Sequence, residues 1–322
     1  IYAGLTLFII GSLLAYFAHN FETILAGRFI QGLGASAPRI ITVAIIRDRY
    51  EGREMARVMS YIMGIFIIVP ALAPAIGQGI IMLTGWQSIF IFFIAIALVI
   101  FIWLAMRIPE TQHPEDARAF TVSVLWQGLK TTLGNTKTLC YMIAAGFIFG
   151  AFIGYLNTSQ QIFEDYYHVG KLFPLYFGIT ALSLGVAFFT NAQLVRFFGL
   201  KKVIVTALIA LAFLSITFIT LELSIFNDVP LFMFMTYMMT STFCMGMLFG
   251  NFNALAMEPM GHMAGMAAAV IGCVSLVISV MLGGIIGQLY DNNLLPIALG
   301  FLTASCASLI MMRIAEDRIK LT

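Results

Sequence analysis

Residues 27–39 read Gly27-Arg28-Phe29-Ile30-Gln31-Gly32-Leu33-Gly34-Ala35-Ser36-Ala37-Pro38-Arg39. Arg28 and Arg39 stand in an otherwise apolar segment. Their spacing is about three turns of an α-helix, so both fall on nearly one face, about 16 Å apart along the axis. Gln31, Gly32, Ala35 and Ser36 lie on or beside that face. A guanidinium in hydrocarbon costs roughly 2.5–3.5 kcal/mol even on the lenient insertion scale, so the stripe must turn toward protein or water. The pattern describes a membrane helix that lines a wet cavity or packs closely on another helix. The simpler alternative is that both arginines snorkel to the interfaces.

The rest of the chain supports a membrane setting. Of its 322 residues, 61% are hydrophobic and 10% are charged. A soluble domain is about a quarter charged and under half apolar. So few charges cannot cover so apolar a core, and the surface must meet lipid. Only helices and closed barrels satisfy their backbone there. A barrel would show short stretches of alternating polarity. Here the apolar runs are of helix-spanning length. Ten are read, at 1–18, 23–46, 58–83, 87–106, 139–162, 173–194, 202–221, 230–254, 265–288 and 295–312.

Charge placement tests this count. If residue 1 is cytoplasmic, one side holds Arg47, Arg49, Arg53 and Arg57; Arg107, Arg118, Lys130 and Lys137; Arg196, Lys201 and Lys202; and Arg313, Arg318 and Lys320. The other side holds only Lys171. Such asymmetry is the positive-inside signature, and a missed or invented span would scramble it. The polar stretch from Arg107 to Lys137 separates four segments from six. The chain opens at Ile1 inside an apolar run, with no charged leader and no cleavage site. The expectation is a sequence lacking two helices of a six-plus-six arrangement. A weak echo agrees: Ala75-Ile76-Gly77-Gln78 ends the third segment and Ile285-Ile286-Gly287-Gln288 ends the ninth. The expected divisions are 1–106 for helices three to six, 107–138 for the central cytoplasmic loop, and 139–322 for helices seven to twelve.

Other residues speak more quietly. Cys140, Cys244, Cys273 and Cys306 sit in apolar runs without metal or disulfide spacing and read as small fillers. His19, His113, His168 and His262 are scattered through loops, and no metal site is expected. All fifteen acidic residues fall in loops or near helix ends. Arg28 therefore has no visible acidic partner, and a coupling carboxylate is expected in the absent first helix. The third segment carries Gly64, Pro70, Pro74, Gly77 and Gly79. Prolines remove backbone hydrogen bonds, and glycines let helices approach closely. The segment reads either as ordinary packing or as a bent helix at a seam between halves. Gly283, Gly284 and Gly287 repeat the theme.

These residues resemble the major facilitator superfamily, and within it the drug:proton antiporters of the bicyclomycin/chloramphenicol-resistance type. Arg28 to Gly34 is similar to the fourth-helix motif, an Arg followed by Gln-Gly-x-Gly. Arg47 and Asp48 resemble the Arg-Asp run at its foot. Pro70 to Gly79 resembles the antiporter motif of the fifth helix. Gly85-Trp86 resembles the turn into the sixth, with Gln87 where an Arg is common. Arg196, Gly199, Lys201 and Lys202 resemble the second-half copy of a loop motif.

The resemblance implies an all-α polytopic fold, with ten of twelve transmembrane helices present, that alternates between inward- and outward-open states. It implies proton-coupled efflux of small hydrophobic or amphipathic drugs from a bacterial inner (plasma) membrane, both termini of the complete protein being cytoplasmic. The proton gradient would supply energy, with no cofactor. Partners would be the substrate and the lipid bilayer, with no nucleic acid, for a monomer. Arg28, with Gln31, Gly32, Gly34 and Arg39, would relay or gate. Candidate cavity residues are Tyr155, Asn157, Gln160 and Gln161 on the seventh helix, and Tyr237, Thr240, Asn251 and Asn253 on the tenth. Each could instead serve packing hydrogen bonds between helices. Other readings are a facilitator carrying a metabolite or amino acid and, from a different class, a membrane-embedded enzyme. The enzyme needs a cluster of reactive side chains that the sequence does not display.

Overall fold

A computed structural model describes residues 1–49, 52–107, 122–224 and 229–319. Every regular element among them is helical. The side chains of Arg39, Arg47, Asp48 and Pro70, and the surroundings of Gly64, lie outside the described residues, as does most of the stretch that follows Arg107. Among the described residues, seven helices, at Ser88–Arg107, Thr136–Tyr166, Gly170–Phe198, Leu200–Ser224, Leu231–Gly261, Ala264–Gln288 and Leu295–Asp317, are long and apolar enough to cross a bilayer. Three further helices match the first three apolar segments; one is shorter, and the other two carry charge near their ends or midway. Contacts divide the chain into two compact units, Ile1–Arg118 and Ala119–Thr322.

The first unit holds α1 (Tyr2–Tyr16), α2 (Phe21–Arg49), α3 (Gly52–Thr84) and α4 (Ser88–Arg107). Asn20 starts α2, its Oδ1 accepting the Thr23 N–H at 2.8 Å, as an N-cap should. Gly85 turns the chain from α3 to α4 at φ +93°, a region glycine enters without strain. α3 runs through Pro70 and Pro74 as one element. α1 packs on both α2 and α4. Small residues make the α1–α2 seam: a Cβ on Gly11 would lie 2.6 Å from Gly27 O, and one on Gly34 would lie 2.5 Å from Gly4 O. Aromatic pairs Tyr2–Phe101 at 5.1 Å and Phe8–Phe93 at 6.3 Å join α1 to α4. The outer faces stay apolar, with Trp103 67% and Met106 75% exposed, a surface that suits hydrocarbon rather than water.

The second unit holds α5 (Val122–Gly134), α6 (Thr136–Gln161), α7 (Phe173–Phe198), α8 (Leu200–Ser224), α9 (Leu231–Met257), α10 (Ala264–Gln288) and α11 (Leu295–Ile319). α5 corrects the reading of 107–138 as a loop, because its later part is a helix packed on α6 and α10. Gly128 lets it approach Met266. Asn135 then caps α6, its Oδ1 accepting the Thr138 N–H at 3.0 Å. α6 is the buried centre, packed by α9, α10 and α11. Its glycines 146, 150 and 154 receive Ile278, Leu282 and Ile286 of α10. In return Ser275 and Ser279 of α10 donate to the carbonyls of Met142 and Gly146, both at 2.9 Å. This is the exchange of small residues and hydroxyl bonds by which helices associate in lipid. Gly283 meets Ile153, whereas Gly284 faces open space, so the small-residue stripe is real but one residue narrower than the sequence reads.

Candidate functional site

The polar stripe of α2 divides when the helix packs. Arg28 is exposed, and its Nη1 donates to Gln31 Oε1 at 2.8 Å. Gln31 is 5% exposed. Its Nε2 donates to Ser12 Oγ of α1 at 2.9 Å, and that hydroxyl donates to Phe8 O at 2.7 Å. A guanidinium, an amide, a hydroxyl and a backbone carbonyl thus form one directed chain. Each of its three bonds runs from a donor to a matching acceptor, and both polar atoms of the buried amide are engaged. Arg28, read as lacking a visible partner, has a neutral one, while no carboxylate lies within ion-pair distance of it among the described residues. One guanidinium N–H is held, and the group keeps donors for a charged partner or substrate.

The two motif glycines part company. Gly34 is spent on packing, since its Cβ would strike Phe8 N at 2.4 Å, while Gly32 has no atom within 4 Å. Ala35 and Ser36 are exposed beside Gly32. In α3, Gly77 and Gly79 likewise have open space around them and Pro74 is half-buried, so no described residue packs closely on these two glycines.

In the second unit the cavity candidates separate by burial. Tyr155 is 1% exposed and shares a hydrogen bond with Thr180 Oγ1 at 3.0 Å. Tyr237 is buried, paired with Ser215 Oγ at 3.0 Å and stacked on Phe218. Asn251 is buried and exchanges two bonds with Asn191, at 3.1 and 2.8 Å. These three are committed between helices, which shifts the cavity reading onto the exposed residues. Asn157 is exposed and donates to Gly283 O at 3.3 Å. Gln160 reaches Glu164 Oε2 at 3.2 Å, and Gln161 is exposed. Thr240 is exposed and returns its hydroxyl to Thr236 O. Asn253 is half-buried and donates to Phe249 O at 3.0 Å. An open apolar cleft of about 550 Å³ lies between α7 and α9, lined by Tyr176, Ile179, Phe232, Met235, Thr236 and Met239. Methionine walls adapt readily to apolar molecules.

The loop motif between α7 and α8 is local architecture. Gly199 ends α7 at φ +80°, its N–H donating to Val195 O at 2.9 Å. Lys201 then reaches Glu316 Oε1 of α11 at 3.1 Å, and Arg196 and Lys202 are exposed. Sequence reading missed Ser12, Asn191, Thr180 and Ser215, each the partner of a residue it named. Nothing in a lone serine or asparagine of a helix marks which neighbour it will meet.

Comparison with known proteins agrees with this architecture. The Major Facilitator Superfamily matches residues 1–287. The uncharacterized MFS-type transporter YdgK of Bacillus subtilis is 29% identical over 97% of this chain and 78% of its own length. The bicyclomycin resistance protein homolog of Haemophilus influenzae is 27% identical over 84% of this chain and 67% of its own length. The multidrug resistance protein MdtL of Klebsiella pneumoniae is 27% identical over 96% of this chain and 76% of its own length.

Proposed function

We propose that this chain, which belongs to the major facilitator superfamily, exports small hydrophobic or amphipathic compounds across a bacterial inner membrane in exchange for protons. Membership makes it a membrane transporter of small molecules. The names of two relatives, a bicyclomycin resistance protein homolog and a multidrug resistance protein, favour drugs as cargo. The observation that carries the coupling is Arg28, held by Gln31 and through it by Ser12. An ionisable group on a membrane helix marks a functional site by default, with a partner to be named. The Gln31–Ser12 chain fixes where the guanidinium stands. A carboxylate facing it would be stabilised as the anion, and protonating that carboxylate would weaken the pair. Binding of a proton and of cargo would then bias the same two-state change of the protein.

Arg39 would act with Arg28, and Gly32 would leave room for the moving partner. Cargo would meet Asn157, Gln160, Gln161 and Thr240, and the apolar Met- and Phe-lined wall of α9. The lysines and arginines near residues 137, 196–202 and 313 would lie in the cytoplasm, with both chain ends.

The test expresses the full-length protein in an efflux-deficient bacterium and measures accumulation of a broad compound panel, with Arg28→Ala beside it. Lower accumulation of lipophilic compounds, abolished by Arg28→Ala, is expected. No change for any compound sinks export, and an Arg28→Ala protein with unaltered pH response sinks its coupling role. Uptake of a metabolite or amino acid instead would assign the rival cargo.

A further inference from the structure

The second unit is tied differently at its two ends. α8 and α11 run antiparallel. At one end Lys201 pairs with Glu316, close in kind to the Lys137–Glu258 pair that joins α6 to the end of α9 at 2.9 Å. At the opposite end of α8, the last turn carries Glu222, and its Oε1 accepts the Leu294 N–H just before α11 at 3.2 Å. No cation pairs with this carboxyl among the described residues. Sequence reading had counted it among acids near helix ends.

Three chain segments close over Glu222. The turn after α6 brings Tyr166 and Tyr167, whose rings are 4.7 Å apart. Tyr166 OH accepts the Val229 N–H at 3.3 Å. The α10–α11 connection brings Tyr290 and Asn293. Four oxygens there are buried without a hydrogen-bond partner: Glu222 Oε2, Tyr167 OH, Tyr290 OH and Asn293 Oδ1. Orphaned polar atoms are costly and rare even singly, so four at one end of one unit call for a cause. Tyr167 lies within electrostatic reach of Glu222 and of Tyr290, and Asn293 directly precedes Leu294, whose N–H meets Glu222. Burial first, then Tyr166, Glu222 and Tyr290, holds the Tyr167 phenol above its usual range. Burial, then Asp165 and Tyr166, pushes Tyr290 up to about 12. From α9, Tyr237 also feels Glu222.

We propose that Glu222 Oε2, Asn293 Oδ1, Tyr167 OH and Tyr290 OH form a binding site for one monovalent positive charge, a proton or a sodium ion, that locks together the ends of α6, α8 and α11. The chemistry points there. Glu222 is half-buried, with its Oε2 shut from solvent; a carboxylate so placed with no cationic partner favours what neutralises it, and an all-oxygen donor set selects hard cations over soft ones. Bound charge would satisfy the orphaned acceptors and hold three segments distant in sequence. This site belongs to the second unit and Arg28 to the first, and the proposal does not depend on the cargo.

The experiment uses the full-length protein in detergent and reads its thermal unfolding midpoint across pH in choline chloride, then in sodium chloride, for wild type and Glu222→Gln. If the charge is a proton, the wild-type midpoint falls as pH rises from about 6 to about 9 in choline, because the folded state holds a proton that high pH removes. If it is sodium, added NaCl raises the midpoint with saturation, and choline does not. In both arms Glu222→Gln flattens the response. Tyr290→Phe, which keeps the ring, guards against a Glu222→Gln protein that fails to fold: it should move the sodium half-effect concentration or the pH midpoint by roughly tenfold or one pH unit. Identical pH and sodium responses in wild type and Tyr290→Phe, or in wild type and Glu222→Gln, overturn the proposal and leave the oxygens to water alone.

Discussion

Replacing Gly34 with alanine tests the α1–α2 seam on which the Arg28 chain depends. The new methyl would sit 2.4 Å from Phe8 N, 2.5 Å from Gly4 O and 2.8 Å from Phe8 Cα. All three are backbone atoms, so no rotamer change relieves the clash. Restoring ordinary contact near 3.5 Å moves α1 away by ~1 Å along the whole seam. The Gln31–Ser12 bond, at 2.9 Å, would stretch beyond good geometry. Overpacking of this kind costs about 1–3 kcal/mol, and the better helix propensity of alanine returns at most about 1 kcal/mol. The net expectation is a loss of about 1–2 kcal/mol. Gly32 is the internal control, because nothing lies within 4 Å of its Cβ position and alanine there keeps only the propensity gain. The assay heats purified full-length protein and follows the monodisperse fraction by size exclusion. Gly34→Ala should lower the midpoint by roughly 2–4 °C per kcal/mol lost, and Gly32→Ala should hold or raise it. A Gly34→Ala protein as stable as wild type would refute the packing argument. So would a Gly32→Ala protein that loses as much.

Two further substitutions probe the second unit. Asn191→Ala strands the buried amide of Asn251 and Asn251→Ala the half-buried amide of Asn191, in a pair whose two bonds measure 3.1 and 2.8 Å. Each should cost about 1 kcal/mol, and the double variant less than the sum, since bonds between membrane helices average roughly 0.6 kcal/mol; strict additivity in a thermal double-mutant cycle would show that the pair is not coupled. Gly199→Ala places a side chain at φ +80° and should destabilise by about 1–3 kcal/mol with its Lys201–Glu316 neighbour intact; an unchanged midpoint would mean that the α7–α8 turn relaxes at no cost.

The helices were legible because the bilayer imposes one length and one polarity on each. Charges at segment ends then supported the count, and all seven span-length helices among the described residues fall on read segments, six in the second half and one at α4. α5 was missed because Pro109, Pro114, Glu115, Asp116 and Arg118 make the whole stretch from Arg107 to Lys137 look like loop. Its apolar side, Leu125, Leu129 and Leu133, repeats every four residues, which is a helix period shorter than any membrane span. Gln31 stood at the right spacing from Arg28 to meet it, yet that spacing does not say whether the pair faces a cavity or α1. Ser12 decides it, and Ser12 is nineteen positions away.

Polarity within a helix carries the same ambiguity for the cavity candidates. Tyr155 and Asn157 are two residues apart and so point to nearly opposite sides of α6. One is buried against Thr180 and the other is exposed. Which side is interior depends on α7 and α10, not on α6 alone. Glu222 is the extreme case. By sequence it follows the last apolar residues of its helix and reads as solvated. Its surroundings come from residues 166–167 and 290–294, far from it in sequence, one hydrogen bond coming from Leu294. A carboxyl whose environment is drawn from such distant segments is also one whose charge can report on their packing. That places the most informative acidic group of the second unit where hydropathy alone gives no reason to look.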